Sequence, residues 1–150
     1  MKFFAVLFIL IGIFTATSKA VDDSSEDLIF IVNSENPITI INANDIRDYY
    51  FKRKRQWPNG ESVRFIDRGN LNPLREKFLK TVLQKSNSDI ELFWIGQKLY
   101  TGDSAPLREN LESGTVQFVS SFKGAIGYVS TTSVLPEKVK VVKVVRSKED

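Results

Sequence analysis

Hydrophobic and polar positions divide the chain into short segments of differing period. Leu28 to Asn33 reads Leu-Ile-Phe-Ile-Val-Asn, a nearly continuous β-branched and aromatic run. Such runs belong to strands covered on both faces, and this one is expected to be a buried parallel strand. Ser34 to Pro37 turns the chain, and Asn42 or Asn44 then caps a helix that carries Ile46, Tyr49 and Tyr50 on one side and ends near Lys54. After a turn at Trp57-Pro58-Asn59-Gly60, Val63 to Asp67 alternates well enough for a second strand. Asn72-Pro73 places a cap before a proline at the first helical position, where the missing N–H costs nothing. Leu74, Phe78, Leu79, Val82 and Leu83 recur behind it at helical spacing.

A third helix is expected from Ser88, its cap, through Leu92, Phe93, Ile95 and Leu99, with Gly102 just past its end. A fourth covers Leu111 to Phe122. Lys123-Gly124 breaks that helix, and Ala125 to Ser130 returns as a strand whose Gly127 marks a close neighbour that a side chain would obstruct. Val139 to Val145 alternates valine and lysine before a charged tail. Strands separated by helices of this length predict one α/β domain, its mixed or largely parallel sheet flanked by helices.

The first twenty residues follow a different pattern. Lys2 gives a basic start, Phe3 to Phe14 is apolar apart from Gly12, and Ser18 and Ala20 are small residues at the positions a signal peptidase reads. The apolar run is shorter than the ~18 residues a spanning helix needs. The expected organisation is a signal peptide at 1–20, a flexible acidic leader at 21–27, the folded domain at 28–145 and a charged tail at 146–150. The processed chain is expected to begin at Val21 and to be an exported, soluble protein, in the periplasm of a bacterial cell, with no stable membrane insertion. Cysteine is absent, so no disulfide or lipid-modified cysteine is available. The signal holds two lysines and no acid, which reduces the net charge from +3 to +1 and implies no strong electrostatic partner.

Enzymatic readings fare badly. Histidine and cysteine are both missing, which removes the commonest general base, the thiolate nucleophile and the usual transition-metal ligands. No nucleophile-elbow or P-loop pattern occurs. Asp45, Asp48, Glu76 and Glu109 read as solvated carboxylates, and no cofactor or metal is implied. Lys52-Arg53-Lys54-Arg55 is the densest charge run, but cations favour the end of a helix and the processed domain lacks the basic excess of nucleic-acid binders. No nucleic-acid partner is expected. Trp57, Phe93, Trp94 and Tyr100 read as core-closing aromatics.

Several segments, taken in order, carry a resemblance. They are Ile31-Val32-Asn33-Ser34-Glu35-Asn36-Pro37, the stretch Asp45 to Lys52 leading into Gln56-Trp57-Pro58-Asn59-Gly60, and Asp67-Arg68 followed by Asn72-Pro73-Leu74-Arg75-Glu76-Lys77-Phe78. Phe93-Trp94, Tyr100-Thr101-Gly102 and Gly124-Ala125-Ile126-Gly127-Tyr128-Val129-Ser130 complete the set. From Leu28 to Val145 the chain resembles short relatives of the substrate-binding component of phosphate ABC transporters, in the type II periplasmic binding protein superfamily. It covers little more than one of the two lobes that close around a ligand there. The resemblance implies a single-lobe periplasmic-binding-protein-like α/β domain without enzymatic activity.

In that family a strand leads into a Gly-Ser-Gly-Thr loop that holds phosphate at a helix N-terminus. The corresponding stretch here, Arg68-Gly69-Asn70-Leu71-Asn72-Pro73, has no hydroxyl residue, and proline replaces one amide donor. A helix N-terminus still presents N–H groups and a positive dipole end, and guanidinium groups bind oxyanions through paired hydrogen bonds. The ligand-binding candidates are therefore Arg68, Gly69, Asn70, Asn72, Leu74 and Arg75, acting on an inorganic oxyanion, phosphate above all. The bland alternative is that Asn72 caps the helix, Arg68 pairs with Asp67 or Glu76, and Arg75 is solvated. Two functions follow. The first is an exported solute-binding module; the second is an interaction module that has lost ligand capture and contacts another envelope protein through the surface the missing lobe would have covered, which should show an exposed apolar patch.

Overall fold

The computed structural model describes residues 27–146. The expected signal at 1–20, all but the last residue of the leader and residues 147–150 lie outside the described residues. Six strands form one sheet: β1 (Leu28–Asn33), β2 (Ile40–Asn42), β3 (Arg64–Arg68), β4 (Leu107–Glu109), β5 (Ala125–Ser130) and β6 (Val139–Val145), in the order β2-β6-β1-β5-β3-β4. The sheet is mixed. β3 runs parallel to both β4 and β5, and β2 runs parallel to β6. β1 is buried but antiparallel to both of its neighbours, β5 and β6, which corrects the expectation of a parallel strand. Its apolar run reported that both faces are covered, and coverage does not fix direction.

The side-chain period of two explains the layering. Phe30 and Val32 of β1, Phe65 of β3 and Ile126 and Tyr128 of β5 share one core cluster. Ile31, Ile66, Ala125 and Val129 share the other. The first cluster is closed by α1 (Ala43–Tyr50), by α2 (Pro73–Phe78) with the π-helical turn Leu79–Leu83 that continues it, and by α3 (Asn87–Tyr100). The second is closed by α4 (Glu112–Ser121), which buries Val119. Gly127 lets α4 and β3 come close to β5. A Cβ there would sit 2.7 Å from Ile66 Cγ2 and 3.0 Å from Thr115 Cγ2.

Some boundaries move. Asn42 caps α1, its side-chain oxygen accepting from Asn44 N at 2.8 Å. The helix ends at Tyr50 instead of near Lys54, because Lys52 turns left-handed at φ 57. The cap of α3 is Ser86, not Ser88. Ser86 Oγ accepts from Asp89 N while Asp89 accepts from Ser86 N, both at 3.1 Å, a reciprocal box that satisfies two end donors. Both β2 and β4 are three residues long, too short for alternation to announce them. No helix among the described residues is long and apolar enough to cross a membrane.

Candidate functional site

At the carboxyl end of β3 the strand period places Asp67 and Arg68 on opposite faces of the sheet. Asp67 points into the first core layer and is 0% exposed. Its carboxylate accepts four hydrogen bonds: from Tyr128 Oη at 2.5 Å, Tyr50 Oη at 2.9 Å, Arg68 N at 2.8 Å and Arg75 Nε at 3.2 Å. Arg75 is 1% exposed and its Nη1 donates to Asn87 Oδ1. Burial works against the Arg75 charge, but the Asp67 carboxylate and the two phenol oxygens outweigh it and hold the guanidinium above its ordinary range. Burial, then the Asp67 charge, pushes the phenols of Tyr50 and Tyr128 well above the ordinary tyrosine value, so both remain donors.

Arg68, 2% exposed, occupies the opposite layer. Its Nη1 donates to Thr115 Oγ1 at 2.7 Å and its Nη2 to the Asn110 carbonyl at 3.2 Å. Gly69 passes against the same Asn110, whose Oδ1 would lie 1.9 Å from a Cβ at that position. Asn70 and Leu71 form an exposed tip. Asn72 closes the loop as a cap. Its Oδ1 accepts from Leu74 N at 3.0 Å, and its carbonyl accepts from Arg75 N at 3.0 Å and Glu76 N at 3.3 Å. The first two N–H groups behind Pro73, those of the candidates Leu74 and Arg75, therefore already have acceptors.

This geometry does not bring the two arginine candidates together. Arg68 and Arg75 do not flank one open helix N-terminus; they leave the strand end on different sides and serve different networks. The bland pairing also changes, because Arg75 is buried and takes Asp67, while the Arg68 guanidinium goes to Thr115 and Asn110. Two guanidinium nitrogens, Arg68 Nε and Arg75 Nη2, are buried without a partner. Sequence reasoning missed Tyr50, Tyr128, Asn87, Asn110 and Thr115. Only the strand period of two at Asp67-Arg68 gave warning that neighbouring residues would face apart.

Elsewhere the expected structural roles hold for most side chains. Lys54 pairs with Asp45 and Asp48, Arg53 with Asp48 at 2.8 Å, and Arg55 with Asp103 at 2.7 Å. The hydrogen bond from Arg55 holds the Asp103 carboxyl down at about 2. Trp57 and Trp94 are buried, but Tyr100 is 90% exposed and closes no core. It ends α3, whose Leu92, Ile95 and Leu99 are also exposed at helical spacing on one side. A groove of about 730 Å³ lies between the end of α1, the π-helical turn and α3. It is lined by Arg47, Phe51, Leu83, Lys85 and Phe93, among others, and by none of the loop candidates.

Comparison with solved structures bears on the fold. An ABC-type phosphate transport receptor from Vibrio cholerae superposes with a TM-score of 0.63 at 18% identity, covering 83% of this chain and 48% of that one. A putative phosphate ABC transporter substrate-binding protein with bound phosphate from Clostridium perfringens gives 0.62 at 20% identity, covering 79% and 45%. PstS from Borrelia burgdorferi gives 0.62 at 14%, covering 79% and 47%. The chain has the fold of these proteins. It spans about half of their length, in keeping with one lobe. No family model matches the chain, and no curated protein matches it. Within this phosphate-binding-protein fold, the strand end and loop just described carry the donors weighed above.

Proposed function

We propose that this chain is an exported, non-catalytic interaction module that keeps one lobe of the phosphate-binding-protein fold and engages another envelope protein through its surface. The observation that supports this reading is the state of the loop. The helix-start donors, the Leu74 and Arg75 amides, already donate to Asn72, and Asn110 covers Gly69. Meanwhile Leu92, Ile95, Leu99 and Tyr100 leave one side of α3 apolar and uncovered, a pattern associated with protein contact. A photo-crosslinking residue placed at Ile95 or Leu99 of the full chain, irradiated in intact cells, is expected to give a discrete adduct with one other protein. The same residue at exposed Lys80 is expected to give none. Adducts absent at both α3 positions, or equal at Lys80, would overturn this reading.

One observation favours a second reading, oxyanion binding by Arg68, Gly69, Asn70, Asn72, Leu74 and Arg75. Buried donors are rarely left without acceptors, and Arg68 Nε and Arg75 Nη2 are two such donors at this strand end. The similar Clostridium perfringens protein carries bound phosphate. On this reading, replacing either arginine with alanine weakens phosphate binding by roughly tenfold to a hundredfold, the worth of one charge-assisted hydrogen bond.

A further inference from the structure

We infer that Asp67 is the built-in occupant of an oxyanion site, its carboxylate filling a cradle that the rest of the fold constructs. This deepens the proposal above: donors that would hold an external anion on the α1–α2 side of the sheet are committed to an internal one. The cradle draws on four separate elements. Tyr50 comes from the last turn of α1, Tyr128 from β5, Arg75 from α2 and the Arg68 amide from β3 itself. All four donors converge on two oxygens within 2.5–3.2 Å. The site is walled by Phe78, which stacks on Tyr128 with ring centroids 4.5 Å apart and meets Tyr50 edge-on at 5.5 Å.

Those donors are anion-specific by chemistry. The guanidinium and the amide can only donate, and the two phenols turn their O–H groups to the carboxylate, which accepts from all four without offering a donor in return. Removing the Asp67 side-chain carboxylate leaves the cradle with a buried positive charge, two orphaned hydroxyls and a space the size of one small carboxylate. Formate has the same two oxygens on one carbon. It is the class of ligand the emptied site fits, and an internal carboxylate at effectively unlimited local concentration excludes it from the native chain.

The test is anion rescue. The thermal midpoint of Asp67→Ala is measured against sodium formate, with sodium chloride holding the ionic strength fixed. Formate is expected to raise it saturably by about 4–8 °C, with no rise in the native chain. The double variant Asp67→Ala/Arg75→Met, which lacks the cationic donor, is expected to show no rise. Should Asp67→Ala fail to fold alone, its refolding yield in formate against chloride reads the same quantity. A midpoint or yield that does not distinguish formate from chloride overturns the inference, as does equal rescue of the double variant. A native chain that binds phosphate while Asp67→Ala is rescued by formate would overturn the interaction-module reading and leave this inference standing.

Discussion

Asp67 and Arg68 are adjacent in sequence, yet their side chains occupy chemically opposed surroundings on the two faces of β3. On the Asp67 face a full negative charge meets a full positive one within a shell of tyrosine hydroxyls and aromatic rings. On the Arg68 face a buried guanidinium meets only neutral acceptors, a threonine hydroxyl and a backbone carbonyl, and like Arg75 it keeps one nitrogen without a partner. A strand end that offers two arginines to a ligand-binding loop in sequence thus delivers one that is neutralised and one that is merely hydrogen-bonded. Buried charge is costly to unpair, so the two faces should respond differently to substitution.

The largest effect is expected from Asp67→Ala without added anion. It strands Arg75 beside two unpaired hydroxyls, and a loss of about 3–5 kcal/mol in the urea unfolding free energy is expected. Arg68→Met removes a cation whose partners are neutral and fills much of its volume. A smaller loss of about 1.5–3 kcal/mol should follow by the same measurement. Equal losses would erase the distinction between the faces.

Alkaline titration sharpens the comparison further. Tyr50 and Tyr128 release their protons near the ordinary value of 10.0 once unfolded but hold them to higher pH when folded. The unfolded state therefore binds fewer protons above pH 10, and stability falls as pH rises, by about 1.4 kcal/mol per pH unit for each tyrosine. Below the unfolded value the two contribute no slope. Replacing each with phenylalanine should flatten the fall above pH 10, and Arg68→Met should leave it unchanged. The smallest effect belongs to the loop: Asn72→Ala removes the α2 cap and should cost about 1 kcal/mol in the same unfolding assay.

Much of the fold was legible because period and coverage are written locally. The run Leu28–Asn33, the Asn72-Pro73 start and the close packing at Gly127 each follow from one short segment. The site was less legible because its contacts are long-range. The partners of Asp67 come from 17 and 61 residues away, and Arg68 reaches 47 residues to Thr115. Adjacency in sequence suggests a pair between Arg68 and Asp67, but the pleat sends their side chains to opposite faces. The capping role of Asn72 was readable from Asn-Pro alone, but that its cap would consume the donors meant for a ligand required the first turn of α2 to be seen whole. The exposed side of α3 was hidden for the opposite reason, since Leu92, Ile95 and Leu99 recur as core residues do.

The central claim is that the helix-start amides of Leu74 and Arg75, and the charge of Arg75, are satisfied within the chain. Titration calorimetry of residues 21–150 with phosphate, and separately with sulfate, at constant ionic strength tests it directly, since screening alone mimics weak binding at low salt. No saturable heat up to millimolar anion is expected. Saturable phosphate binding that Arg68→Ala or Arg75→Ala weakens by tenfold or more would contradict the account and establish the loop as a ligand site.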